Sequence, residues 1–88
     1  MKTEFKSSFA RDLRKIRDKE TLEKIQRLIS LVEQVESLES VPGVKRLQSE
    51  GPYYRIRLGD YRVGISIIGT TITFIHFLHR KEIYRYFP

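Results

Sequence analysis

The sequence has no cysteine, so no disulfide can staple the fold and no thiolate set can hold zinc. That composition is compatible with a reducing compartment. No run of 18 apolar residues occurs, which removes the membrane-spanning helix as an option. The stretch Met1-Lys2-Thr3-Glu4-Phe5-Lys6 lacks the apolar segment of a secretion signal. A soluble cytoplasmic protein with no membrane partner is therefore expected. No repeat or low-complexity segment is present. The 88 residues suffice for one domain, 1–88, with one modest core between two packed layers. They are 40% hydrophobic and 32% charged, a globular balance that argues against wholesale disorder.

Positive charge is present in excess, with a net of +6. Residues 1–52 hold 11 basic and 9 acidic groups, whereas residues 53–88 hold six basic groups against Asp60 and Glu82. The surplus is thus two in the first part and four in the shorter second part. An excess of this kind favours polyanions through steering and counterion release.

Two periodicities divide the chain. Ser7 or Ser8 can cap a first helix, whose Phe9, Leu13 and Ile16 recur at helical spacing. Asp18 can cap a second, with Glu20 and Glu23 in its first turns and Leu22, Ile25, Leu28, Ile29, Val32 and Val35 as its stripe, ending near Leu38. The two should form a hairpin with one shared apolar face. Val41-Pro42-Gly43 ends the helical region and Gly51-Pro52 marks a turn. The period then changes from 3.6 to 2. Tyr53, Arg55 and Arg57 fall on one face of a strand, and Tyr54, Ile56 and Leu58 on the other. Turns at Gly59-Asp60 and Gly69-Thr70 separate two further strands, the last running from Thr71 to His79, so a meander follows. Thr3–Lys6 can add a short first strand, and Arg80–Phe87 one or two irregular helical turns. The expected class is α+β: a two-helix hairpin on one face of a small antiparallel sheet, in the order β-α-α-β-β-β. The opposite face carries Arg55 and Arg57 to solvent.

Arg55 and Arg57, two apart on a strand, have side-chain roots about 6.5–7 Å apart. Guanidinium forks at that spacing match the oxygens of adjacent phosphates. Arg62, across the turn, can sit opposite them. Arg80 ends the last strand beside His79, and Tyr84 and Tyr86 follow on the tail. Each piece has a plain alternative: surface arginines are commonly solvated, and terminal tyrosines commonly pack with a wet hydroxyl. His76, inside an apolar strand, reads as a satisfied core histidine. Arg11, Arg14, Lys15, Arg17 and Lys19 read as a solvated helix face, with a second RNA or ribosome contact as the alternative. The combination is more specific than any member.

The order helix, helix, then Tyr53-Tyr54-Arg55-Ile56-Arg57-Leu58-Gly59-Asp60-Tyr61-Arg62-Val63, a second hairpin and His79-Arg80-Lys81-Glu82-Ile83-Tyr84-Arg85 resembles the RelE/ParE toxin superfamily across nearly the whole chain. The resemblance implies a toxin paired with a cognate antitoxin protein. For the RelE branch it implies an endoribonuclease that cleaves mRNA in the ribosomal A site, with 16S rRNA contacts and no cofactor or metal. It implies that Arg55, Arg57, Arg62 and Arg80 hold the scissile phosphate, and that Tyr84 acts near the attacking 2′-hydroxyl. Lys81, Arg85 and Tyr86 extend the RNA-binding set. Best-known RelE toxins have lysine at the first pair, one of them assigned to protonate the leaving oxygen. Arginine at Arg57 is a poor proton donor, so that role falls elsewhere. The segment between Arg80 and Tyr84 is also short, which leaves Tyr84 and Tyr86 as competitors. His79 fits a histidine that related toxins place near the end of the last strand, as base or acid, since an imidazole titrates near neutral pH.

Two other readings share this fold. A ParE-like toxin would inhibit DNA gyrase and cut no RNA. A non-catalytic basic module would bind RNA with steep salt dependence and give no products.

Overall fold

The structure, a computed structural model, describes residues 1–48 and 51–88. Strand β1 (Lys2–Phe5) leads into helices α1 (Ser7–Arg14) and α2 (Lys19–Gln34), then a 3-10 turn at Leu38–Ser40. Strands β2 (Val44–Arg46), β3 (Tyr53–Leu58), β4 (Tyr61–Ile68) and β5 (Thr71–His79) follow, and a single helical turn, α3 (Ile83–Tyr86), closes the chain. The strands form one sheet in the order β1-β5-β4-β3-β2. The meander β3-β4-β5 is antiparallel, β2 pairs antiparallel with β3, and β1 lies parallel to β5.

The α+β class and the hairpin of helices on a sheet match the pattern of the sequence. Three details differ. The sheet is mixed because β1 runs parallel to β5, and it has five strands because Val44–Arg46 pairs with Tyr54–Ile56. The second helix stops at Gln34, since Val35 is already extended. Neither serine caps α1: Lys6 occupies that position, and the Ser8 hydroxyl instead donates to the Ile75 carbonyl of β5. Asp18 does cap α2, its carboxylate accepting from the Thr21 N–H at 3.3 Å and from the Thr21 hydroxyl at 2.6 Å.

The core lies between helices and sheet. Phe9 from α1 and Ile25, Leu28 and Val32 from α2 meet Ile56, Val63, Ile65, Ile72, Phe74 and Phe77. The strand residues on that face follow period 2 until β5, where a bulge intervenes: Ile65 pairs with Phe74 but Gly64 pairs with His76, leaving Ile75 as the extra residue. Past the bulge the alternation is inverted. Phe77 and His79 continue the core face, and His76 and Leu78 turn to the opposite one.

That opposite face has no helix of its own except the tail. Gly64 is the seat. A side chain there would stand 2.7 Å from the Phe87 ring, so only a bare backbone admits it. Phe87 is 2% exposed and meets Tyr53 edge-on, with ring centroids 5.6 Å apart. Ile83, also buried, anchors the other end of α3.

Candidate active site

Cross-strand register arranges the open face in rows. One row runs Lys45, Arg55, Gly64, His76 over β2 to β5, and the next runs Arg57, Arg62, Leu78. Arg62 therefore lies directly opposite Arg57 and one row from Arg55. The backbone N–H of Arg80 donates to the Asp60 carbonyl at 2.8 Å, which fastens the end of β5 to the β3–β4 turn beside Arg62.

Electrostatics report the same convergence. Burial, then the charges of Arg55 and Arg57 and finally Arg80, pull the Arg62 guanidinium below its ordinary value, while Tyr84 acts in the opposite direction. Four guanidiniums and one phenol thus share a neighbourhood. Backbone carbonyls hold two of them. Arg62 Nη1 donates to Gly59 at 2.8 Å and to Tyr61 at 2.9 Å, and Arg55 Nη1 donates to Gly43 at 2.9 Å. Gly43 O also accepts from the Arg57 N–H at 3.0 Å. Its positive φ of 82° suits glycine, and a side chain would meet the Arg57 carbonyl at 3.0 Å. Arg55 Nε is buried with no partner among the described residues. Like charges packed together with an unpaired donor cost stability, and an arriving polyanion would offset that cost.

The tail divides the tyrosines. Tyr84, 60% exposed, is the one that interacts with Arg62. Tyr86, 58% exposed, borders a separate cavity with Asp12, His76 and Glu82. Arg85 and Lys81 are exposed on the tail and its approach, with no side-chain hydrogen bond among the described residues.

His79 requires a correction. It pairs with Tyr61, meets that ring edge-on at 5.7 Å, and Tyr61 stacks on buried Phe77 at 5.0 Å. Its Nδ1 accepts from the Lys81 N–H at 3.2 Å. The bulge puts it on the helix side of the sheet, across from the arginines. His76 takes the open face instead, where its Nδ1 lies 2.7 Å from the Asp12 carboxylate and its side chain is 16% exposed. Its Nδ1 is satisfied, as that of a core histidine would be, but the residue is not in the core. Lys45 and the Asp12–His76 pair were invisible to sequence reasoning. Gly64 inside an otherwise apolar strand was the signal for a bulge or a close approach. Among the described residues no cluster of three or more histidine or carboxylate groups could hold a metal ion, and no helix is long and apolar enough to cross a membrane.

A model of the ParE toxin of type II toxin–antitoxin systems, parDE, matches residues 3–84. Toxin RelE3 of Methanocaldococcus jannaschii is 53% identical over 45 residues; the chain spans about half the length of this curated relative in the match, 51% of each. The RelB–RelE antitoxin–toxin complex from Methanococcus jannaschii contains a chain with a TM-score of 0.83 and 36% identity, covering 97% of this chain and 99% of that one. A chain of the archaeal RelE–RelB complex from Pyrococcus horikoshii OT3 shares the fold, with a TM-score of 0.73 at 22% identity over 90% of this chain and 93% of that one. The chain belongs to the ParE-toxin family and, with its RelE relatives, to the RelE/ParE superfamily of type II toxin–antitoxin toxins.

Proposed function

We propose that this toxin is an endoribonuclease that cleaves mRNA on the ribosome, and that the arginine cluster is its active site. The observation that carries the reading is the meeting of Arg55, Arg57, Arg62, Arg80 and Tyr84 on one open face. The reaction is internal transesterification. The RNA 2′-oxygen bonds to the adjacent phosphorus, the bond to the 5′-oxygen breaks, and a 2′,3′-cyclic phosphate and a free 5′-hydroxyl result. One proton leaves the 2′-hydroxyl and one reaches the departing oxygen. The guanidiniums stabilise the extra negative charge on phosphorus oxygens, an electrostatic role that suits permanently charged groups. Tyr84 is the candidate for the proton transfer, being the titratable group with the arginines that is not itself a cation. The ribosome supplies orientation of the strand.

The partner is a cognate antitoxin, as in the RelB–RelE complexes of its relatives. A groove of about 290 Å³ between α2 and β3 has Leu28, Leu31, Pro42 and Leu58 as its floor, with Lys24, Arg27 and Arg57 around it. An acidic, amphipathic segment that folds on binding fits such a groove and would reach Arg57.

Expression of the toxin followed by transcript mapping tests the reading. Codon-positioned breaks are expected, and Arg80→Ala should slow ribosome-dependent cleavage about a hundredfold, the scale of losing one charge-stabilising donor. Cleavage at the wild-type rate in Arg80→Ala would remove that arginine from the site. Gyrase inhibition with intact mRNA would replace the whole reading with the ParE-like one.

A further inference from the structure

On the far side of the tail from the arginines, α1, β5 and α3 enclose a cavity of about 400 Å³, a size common for small-molecule sites. One wall is the Asp12–His76 pair. Asp12 is 5% exposed; its Oδ2 accepts from the Phe77 N–H at 3.0 Å and lies 2.7 Å from His76 Nδ1. An ionised carboxylate only accepts, so Nδ1 carries the hydrogen shared with Asp12, and Nε2 is the ring nitrogen left open to a ligand. No described protein group donates to that Nε2. Tyr86 and Leu78 also line the cavity. Arg11 and Lys15 at the rim are offset by Glu82 and Asp12. Because these charges balance, the cavity is poorly suited to a second phosphate. It suits an uncharged planar group that donates hydrogen bonds, stacked on Tyr86, with the Glu82 carboxylate as acceptor and His76 Nε2 as a second partner.

We infer that this cavity takes the base of a nucleotide flanking the bond held at the arginine cluster, and that it prefers adenine or cytosine to uracil. Adenine and cytosine present an exocyclic amino donor where uracil presents a carbonyl acceptor. The placement follows from the rows of the sheet. Arg55 and His76 sit on strands two apart, about 9.6 Å between roots, with the Phe87 ring over Gly64 between them. A phosphate on the arginines is beyond His76, but a neighbouring nucleotide of the same strand reaches it. Tyr84 and Tyr86 then divide the strand between them, one at the cleaved bond and one at the flanking base. This assignment rests on the RNA reading of the arginine cluster.

Short oligoribonucleotides with a 2′-deoxy residue at the cleavage position provide uncleavable probes, with adenine, cytosine or uracil at the flanking position. Their binding to the full chain is followed through the imidazole NMR signals. The chain has two histidines, and His79, on the other face, is the internal control. His76 signals should move while those of His79 stay, and adenine and cytosine probes should bind about tenfold more tightly than uracil, the scale of one base-edge hydrogen bond. Glu82→Ala should lose that preference, and His76→Ala and the milder His76→Gln should weaken binding of every probe. Unmoved His76 signals at saturating probe, or equal affinity for the three bases, would overturn the inference. Should no form of the protein cleave RNA while the base preference in binding persists, the nuclease reading fails and this subsite stands.

Discussion

Replacing Gly64 by alanine tests the join between sheet and tail. The added methyl would stand 2.7–2.9 Å from three carbons of the Phe87 ring. Gly64 does not have the positive φ that disfavours alanine, so the cost falls on the ring and not on the backbone. Phe87 is 2% exposed, and lifting it clear of the sheet would forfeit on the order of 2–3 kcal/mol of burial. A partial shift under overpacking costs about 1–3 kcal/mol, and that range is the expectation for Gly64→Ala. Phe87→Ala should cost roughly 3–4 kcal/mol by removing a buried ring. With the ring gone, the three atoms nearest the methyl are gone with it. The double variant should therefore be no less stable than Phe87→Ala alone, a coupling of about 1–3 kcal/mol. Urea unfolding of all four proteins, followed by circular dichroism, measures the cycle. Cleavage provides a second readout: Tyr84 lies on the turn that Phe87 anchors, so each single variant should slow it by up to about a hundredfold through misplacement. Costs that add to within about 0.5 kcal/mol would refute the proposed contact as the reason for glycine at this position.

Salt should act in opposite directions on the free and bound protein. A net charge of +6 and four crowded guanidiniums predict a Tm that rises between 50 and 500 mM NaCl, by calorimetry, while RNA affinity falls. In that binding series each phosphate contact contributes about −0.7 to the log–log slope, so Arg62→Ala should flatten it by about that amount; an unchanged slope would mean that Arg62 touches no phosphate. Asp18 has its pKa lowered from 3.8, chiefly by the Thr21 side-chain hydrogen bond against an opposing effect of desolvation, with backbone hydrogen bonds from Thr21 and Glu20 and the Lys24 charge adding to the lowering. A depressed carboxylate stabilises the fold above its unfolded value and ceases to do so as pH falls through the folded one. The stability gap between wild type and Asp18→Ala, from urea midpoints, should thus be full at neutral pH and shrink below pH 3.8; a gap that is constant down to pH 2 would rule out the charged cap. Asp12→Ala strands the Phe77 N–H and releases His76, and should cost about 2–3 kcal/mol in urea unfolding. A loss under about 0.5 kcal/mol would mean the pair does not hold α1 to β5.

The helices and the meander were legible because each obeys one period over many residues. The stripe from Leu22 to Val35 has no strand reading, and the alternation from Tyr53 to Leu58 has no helical one. Strand β2 was not legible for the converse reason. Three residues, two of them Lys45 and Arg46, offer too little pattern, and their pairing partners lie about ten residues further on. The histidines failed differently. Counting by twos from Ile72 and Phe74 puts His76 in the core and His79 on the open face, and one unpaired residue, Ile75, reverses both. Periodicity cannot locate an insertion within a strand whose members, the two histidines aside, are all apolar or β-branched. Arg55, Arg57 and Arg62 escaped this fault because they sit on β3 and β4, before the bulge, where register alone sets them on one face.

The two halves of the site accordingly rest on different parts of the fold. In the proposed reaction, charge stabilisation depends on β3, β4 and the end of β5, strands whose positions are fixed by the core beneath them. Proton transfer depends on one helical turn held by Ile83 and Phe87. Tyr84→Phe separates the two. Because Tyr84 is 60% exposed, losing its hydroxyl disturbs little packing, and the charges of all four arginines remain. RNA affinity should stay within about twofold, whereas cleavage should fall by roughly 10²–10⁴, the usual contribution of a positioned acid or base. Single-turnover kinetics on programmed ribosomes, with binding measured separately, distinguish the outcomes. Wild-type cleavage in Tyr84→Phe would assign the proton transfer to another group. Loss of binding and cleavage together would mean that the phenol holds the strand and moves no proton.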